Sequence, residues 1–262
     1  MANLNQIKLI ACDLDGTLLL NGAQDLQANT CDLIRALQNR GVLFFAASGR
    51  QYTNLQKLFL PIKDDIGYLC ENGALSFCGG KRLHKDTMPR ELGQELIREI
   101  WDTDGAEVLI SGEMVSYIQP KKQSYYHHMK DVVKNDVVVV DDIFSTSEDY
   151  LKISLYEEEG LHDESFWQHR FSGRCTVVTG GASWLDMMPK GVNKASGLRH
   201  ILHALGIDSK NVMAIGDNDN DREMLELVGY PVAMKTAKPH IRAIAREETD
   251  TVEHLFERLL SL

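Results

Sequence analysis

Cations, cysteines and long apolar runs are all scarce in this sequence. Its 28 Lys and Arg face 38 Asp and Glu, a formal net charge of −10 over 262 residues. Binding to a phosphate backbone needs clustered cations, and no basic run of that kind occurs, so no nucleic-acid partner is expected. No apolar stretch is long enough to cross a bilayer. Residues 1–8 lack the charged, apolar, then small-residue order of a secretion signal. The expectation is a cytoplasmic protein with no membrane partner. There are five cysteines, Cys12, Cys31, Cys70, Cys78 and Cys175. The odd count without paired spacing argues against a disulfide framework and for free thiols in a reducing compartment. Cys12 and Cys70 lie inside apolar runs, where a thiol acts as a small core residue. What remains is an ordinary globular composition, 44% hydrophobic and 25% charged, sufficient for one large core or two smaller ones.

Short apolar runs alternate with stretches of helical period. Residues 7–12 and 42–47 are nearly continuous apolar runs, as in strands covered on both faces of a parallel sheet. Residues 68–70, 212–215 and 232–234 are shorter examples. Leu26, Thr30, Leu33, Ile34 and Leu37 recur at helical spacing before Gly41. Leu198, Ile201, Leu202 and Leu205 do so before Gly206. Further helices are expected over residues 89–101, 163–171, 220–228, 240–245 and 252–260. The middle of the chain reads differently. A hairpin of residues 106–111 and 113–118 turns at Gly112. Leu151, Ile153 and Leu155 alternate with Lys152, Ser154 and Tyr156, the period of a half-exposed strand. Residues 175–179 and 184–188 bracket Gly180-Gly181. Together these predict a mixed, largely antiparallel sheet with helices on one side. The simplest organisation is an α/β fold: a Rossmann-like parallel-sheet core of residues 1–85 plus 188–262, interrupted by an α+β cap of residues 86–187. The two crossings, near Lys85 and Pro189, are natural hinges.

Three apolar strands end on polar residues: the first at Asp13, the second at Ser48, and the strand over 212–215 near Asp217. Ligands of open α/β sheets bind outside the carboxyl ends of the strands, so the three ends would converge on one crevice. In Asp13-Leu14-Asp15-Gly16-Thr17 the two carboxylates project to one side of an extended chain, and Gly16 permits a sharp exit. One acid could attack while the other moves a proton; a plain Asx-type turn is the alternative. Gly216-Asp217-Asn218-Asp219-Asn220-Asp221 resembles an oxygen-ligand site for a hard cation. A calcium loop counted from Asp217 would need Gly and Glu where Arg222 and Val228 stand, so that motif fails. An acidic helix N-terminus is the bland alternative and accounts for Asp219. Two like charges ~4 Å apart repel by roughly 4 kcal/mol at an effective dielectric near 20. Asp13 and Asp217 beside a phosphate would therefore need cations, with Mg²⁺ the natural choice. Lys194 opens a helix and could add a positive charge, or be an ordinary solvated lysine. Ser48-Gly49-Arg50 offers a hydroxyl and backbone N–H groups to phosphate oxygens, or is a plain strand exit. Gly80-Lys81-Arg82 lacks the phosphate-loop hydroxyl, and Gly181-Ala182-Ser183-Trp184-Leu185 lacks the final glycine of a hydrolase elbow. His127-His128 has no partner at metal spacing.

Read in order, Asp13-Leu14-Asp15-Gly16-Thr17-Leu18-Leu19, Ser48-Gly49-Arg50, Glu71-Asn72-Gly73-Ala74, Gly191-Val192-Asn193-Lys194 and Gly216-Asp217-Asn218-Asp219-Asn220-Asp221 resemble the haloacid dehalogenase superfamily. The particular likeness is to its Cof-type phosphatases with a large α/β cap, and it spans essentially the whole chain. The resemblance implies Asp13 as nucleophile and Mg²⁺ ligand, and Asp15 as general acid/base with its backbone carbonyl on the metal. It implies Ser48, Gly49 and Lys194 as phosphoryl-binding groups, with Lys194 also counted as catalytic. Asp217 would be a metal ligand, Asn220 would contact the phosphoryl group or the nucleophile, and Asp221 would orient the metal shell. Arg50 and Asn72 match the pattern, Arg50 as a further substrate-binding residue. Ser48 stands where many members have Thr, and Thr236-Ala237 replaces the usual Asn-Ala. The expected activity is hydrolysis of phosphate monoesters of small metabolites, such as sugar phosphates, through an aspartyl-phosphate, with the cap as a lid. A phosphomutase on the same core, a phospho-acceptor signalling module and a silent scaffold are the rival readings.

Overall fold

The first apolar run forms β1 (Leu9–Asp13), buried along its whole length. The computed structural model describes residues 6–261. After β1 the chain forms α1 (Thr30–Gln38), β2 (Leu43–Ala47), α2 (Tyr52–Leu58), β3 (Gly67–Cys70), β4 (Leu75–Cys78) and β5 (Lys81–Lys85). Helix α1 buries Ile34 and Leu37, three apart on one face. Leu26, at the head of the same periodic set, lies before the helix, which starts at Thr30. Phe44 of β2 meets Phe256 edge-on, with ring centroids 6.1 Å apart.

The insertion follows as α3 (Arg90–Asp102), β6 (Ala106–Ser111), β7 (Ser116–Ile118), α4 (Gln123–His127), β8 (Val137–Val139), β9 (Lys152–Glu157), α5 (Glu164–Phe171), β10 (Cys175–Thr179) and β11 (Trp184–Pro189). Its strands lie in the order β10-β11-β9-β6-β7-β8. All neighbours are antiparallel except β7 and β8. Helices α3 and α5 cover one face, where Leu96, Ile100, Ile153 and Phe171 form the core.

Two expectations for the insertion need correction. β9 is buried at every position, Lys152, Ser154 and Tyr156 included, so it is not half-exposed. Helical structure also occupies the second face: α4 and the π-type turn His128–Val132 bring Tyr125 and Met129 against Leu109 and Tyr156. Leu109 and Tyr156 occupy the alternate pleat positions, and the period-2 pattern reports only that they differ from Val108 and Leu155, not that they are wet.

The chain then closes the core with α6 (Lys194–Leu205), β12 (Val212–Gly216), α7 (Arg222–Leu227), β13 (Tyr230–Met234), α8 (Pro239–Arg242), β14 (Glu247–Thr249) and α9 (Val252–Leu260). Helix α7 starts at Arg222, because residues 219–221 form a tighter turn. The core sheet runs β14-β13-β12-β1-β2-β3-β4-β5. β1 is paired in parallel with β12 on one side and β2 on the other, setting Asp13 opposite Ala47. This is the expected α/β fold with a parallel-strand core. By their contacts, the described residues up to Ser48, Leu55–His84 and those from Asn193 onward form one unit, and Gly49–Asn54 with Lys85–Val192 form the other. The six residues after Ser48, read from sequence as part of the core, therefore group with the insertion. Among the described residues no helix is long and apolar enough to cross a membrane.

Candidate active site

Parallel pairing places the ends of β1, β2 and β12 side by side, and each delivers one polar residue. Asp13 is the last residue of β1, Ser48 follows β2 and Asp217 follows β12. The chain leaves β1 sharply at Gly16, whose φ is +92°. A Cβ there would lie 2.4 Å from Asp217 Oδ2, so only glycine lets the two acidic segments approach. Thr17 Oγ1 donates to Asp217 Oδ1 at 2.9 Å and fixes that carboxylate from the opposite segment.

Lys194 reaches the same place from α6. Asn193 caps this helix by accepting from Ser196 N at 2.8 Å, while Ser196 Oγ accepts from Asn193 N at 3.0 Å. The helix is seated on the turn Glu71-Asn72-Gly73, whose φ values are 49°, 53° and 111°. A Cβ on Gly197 would fall 2.7 Å from Gly73 Cα, so the two backbones touch through bare glycines. Asn72 N also donates to Ser48 O at 3.0 Å. One turn thus ties the residue after β2 to the helix that carries Lys194.

The Lys194 side chain is 1% exposed, and its Nζ donates to Asp13 Oδ1 at 2.5 Å and to Asp221 Oδ1 at 2.6 Å. Asp221 Oδ2 accepts from Asp217 N at 3.0 Å and from Asn218 N at 3.1 Å. Burial and the neighbouring Asp221 charge hold the Asp13 carboxyl well above the usual carboxylate range, although Lys194 pulls it back. Burial also raises Asp217, with the hydrogen bond from Thr17 opposing and the Asp221 charge adding. Burial disfavours the Lys194 ammonium, but Asp13 and Asp221 outweigh it and raise its pKa. Cys12, next to the nucleophile candidate, is held far up by burial and then by Asp13, so it stays a neutral thiol.

The site suits a hard cation. Asp13, Asp217 and Asp221 each present a carboxylate oxygen, all within 4.8 Å of one another. One lysine against three carboxylates leaves the cluster net negative, and oxygen-only donors match Mg²⁺.

The other sequence candidates fall in different places. Asp15 is exposed and lies outside this carboxylate trio. Asn220 is half-buried in the loop between Asp217 and Asp221. Asp219 instead pairs at the surface with Lys238 and His240, each at 2.5 Å. Gly49 and Arg50 belong by their contacts to the second unit. His128 stacks on Tyr156 at 4.7 Å, whereas His127 pairs with Asp131 at 3.5 Å. Sequence reasoning gave no role to Thr17 or Gly197. A glycine inside a helix, unfavourable by about 1 kcal/mol against alanine, was the available signal of close backbone approach.

Comparison with known proteins agrees with this architecture. A sequence model described as haloacid dehalogenase-like hydrolase matches residues 10–254. The chain is 28% identical over 247 residues to the Escherichia coli K12 5-amino-6-(5-phospho-D-ribitylamino)uracil phosphatase YbjI, covering 92% of this chain and 89% of that protein. It is 28% identical over 249 residues to an HMP-PP phosphatase of Escherichia coli O8, covering 90% and 87%. A haloacid dehalogenase-like hydrolase structure from Bacteroides thetaiotaomicron superposes with a TM-score of 0.84 at 24% identity, covering 97% of this chain and 99% of that one. With the matched segment running from β1 into α9, the chain belongs to the haloacid dehalogenase-like hydrolase family.

Proposed function

We propose that this hydrolase is a Mg²⁺-dependent phosphatase of small phosphorylated metabolites that works through phosphorylated Asp13. The observation that carries the reading is the Lys194 ammonium set between Asp13 and Asp221, with Asp217 close enough to share a cation. Relatives named as phosphatases of a ribitylamino-uracil phosphate and of HMP-PP support the substrate class.

In this reading Asp13, Asp217 and the backbone carbonyl of Asp15 hold the ion. Asp221 has its oxygens committed to Lys194 and two amides, and so orients the shell. When bound, the cation supplies a Lewis acid for a phosphoryl oxygen and offsets the carboxylate charge. The remaining work falls to side chains. An Asp13 oxygen attacks phosphorus in line, and the bond to the leaving oxygen breaks as Asp15 protonates it. Asp15 then takes a proton from water, whose oxygen attacks the aspartyl-phosphate. Inorganic phosphate leaves and the Asp13 carboxylate is restored. Lys194, the Ser48 hydroxyl and the N–H groups of the turn through Gly49 and Arg50 bind phosphoryl oxygens, while Asn220 contacts the phosphoryl group.

The test is phosphate release from a panel of sugar, polyol and heterocyclic-alcohol phosphates. Release is expected with Mg²⁺, to fall by about 10²-fold or more on chelation and to return when Mg²⁺ is restored. Release indifferent to chelation, or none from any ester, contradicts the proposal.

A further inference from the structure

The inserted sheet contains a buried charge pair, Lys152 with Asp186. Along β9, Ile153 and Leu155 enter the apolar core, while Lys152 and Ser154 take the alternate positions. The Lys152 side chain is 7% exposed, and its Nζ lies 3.1 Å from Asp186 Oδ2. Ser154, directly across from Asp186 in the ladder, donates to Asp186 Oδ1 at 2.6 Å. Both oxygens of Asp186 are thereby held, and with them the position of the ammonium. A buried ion pair is commonly no more stabilising than apolar residues of like volume, so its value is sought in what it positions.

What it positions is visible at the next contact. Lys152 Nζ donates to the carbonyl oxygen of Gly49 at 2.9 Å. Gly49 opens the segment Gly49–Asn54, which packs in the same unit as the inserted sheet and directly follows Ser48. Gln51 and Asn54 of the segment are held through their side-chain amides. Gln51 Nε2 donates to Ser116 Oγ at 3.2 Å, Asp136 N donates to Gln51 Oε1 at 3.2 Å, and Asn54 Nδ2 donates to Val133 O at 2.6 Å. Lys152 supplies a charged tie at the end nearest Ser48. In a trans peptide the N–H points opposite to the carbonyl. Fixing Gly49 O toward Lys152 therefore turns the Arg50 N–H the other way. On the neighbouring peptide Ser48 O accepts from Asn72 N, which likewise fixes the Gly49 N–H.

We propose that Lys152, held by Asp186, is a positioning residue for phosphoryl binding: through the Gly49 carbonyl it orients the backbone N–H groups of the turn that starts at Ser48. This rests on the phosphatase reading above. It also makes phosphoryl affinity depend on a side chain of the insertion that touches no reacting atom.

The experiment uses the full-length enzyme with p-nitrophenyl phosphate as substrate and inorganic phosphate as competitive inhibitor. Lys152→Met keeps the buried stem and removes the donor. A charge-assisted hydrogen bond of ordinary strength corresponds to about a tenfold or larger change. The expected result is that KM and the phosphate inhibition constant both rise about tenfold or more, while kcat falls by less. Asp186→Asn keeps an acceptor for Ser154 but turns an N–H₂ group toward Lys152, and should raise both constants in the same direction by a smaller factor. A purely structural role would lower the thermal midpoint and the active fraction without separating KM from kcat. The proposal is overturned if folded Lys152→Met keeps both constants within about twofold of wild type. Should that variant fail to fold, unchanged constants in Asp186→Asn overturn it equally. A wild-type enzyme that releases no phosphate would remove the reading beneath the proposal, an outcome distinct from an active wild type with indifferent variants.

Discussion

Asp13→Asn is expected to abolish turnover while leaving the protein folded. The substitution keeps the size and one oxygen of the side chain but removes the only group that the proposed route allows to attack phosphorus. Loss of a nucleophile in enzymes of the covalent type lowers kcat by about 10⁴-fold or more. Stability should move the opposite way from a core mutation. Asp13 is 5% exposed, and its carboxylate is opposed by burial and by Asp221. Removing that charge relieves both penalties, with Lys194 still paired to Asp221 at 2.6 Å. In chelator-treated protein the thermal midpoint of Asp13→Asn should equal or exceed that of wild type. Phosphate release at the wild-type rate would rule out a covalent route through Asp13. A large drop in midpoint together with lost activity would recast Asp13 as structural.

Lys194→Met should damage both stability and rate. The ammonium is buried between two carboxylates, and its loss leaves Asp13 and Asp221 facing each other without a cation. Breaking a buried pair by deleting one partner costs about 3–5 kcal/mol. The deficit should depend on pH with a definite sign. Asp13 already binds its proton more tightly in the folded protein than in the unfolded chain, and removing Lys194 takes away an influence that lowers its pKa. Where the folded state holds more protons, stability falls as pH rises. The variant's deficit should therefore be small near pH ~4, where an unfolded aspartate is half protonated. It should grow as pH passes upward through the raised folded value. Denaturant titrations at several pH values, without divalent cations, measure this directly. A deficit that is flat in pH, or larger in acid, would contradict the charge account. Loss of the donor proposed for the phosphoryl oxygens should also lower kcat by about 10²–10³-fold.

The parts of the fold that position this site were legible because they are apolar. β1, β2 and β12 are buried on both faces, so their sequences are nearly unbroken hydrophobic runs, and the polar residues Asp13, Ser48 and Asp217 mark their ends. Lys194 was legible by its place at the start of a strongly periodic helix. What escaped was structure imposed by neighbours. β5 reads Lys-Arg-Leu-His-Lys and β14 reads Glu-Glu-Thr; both are polar strands at the outer positions of the core sheet, without an alternating signature of their own. The second face of β9 looked wet because Lys152 and Ser154 are polar, yet both are buried by partners distant in sequence. Gly49–Asn54 groups with the insertion and hydrogen-bonds there to Ser116, Val133, Asp136 and Lys152, contacts that leave no local pattern.

The most direct test of the account asks whether the two acidic segments share one ion. Mn²⁺, as a spectroscopic substitute for Mg²⁺, can be titrated into wild type, Asp13→Asn and Asp217→Asn and read by electron paramagnetic resonance. Loss even of a group that only supports a metal ligand weakens binding by about 10–100-fold, so loss of a direct ligand should do no less. The account predicts one ion per wild-type chain and an affinity at least about tenfold weaker in each variant. Wild-type affinity retained in either variant would contradict the shared site on which the phosphatase chemistry rests.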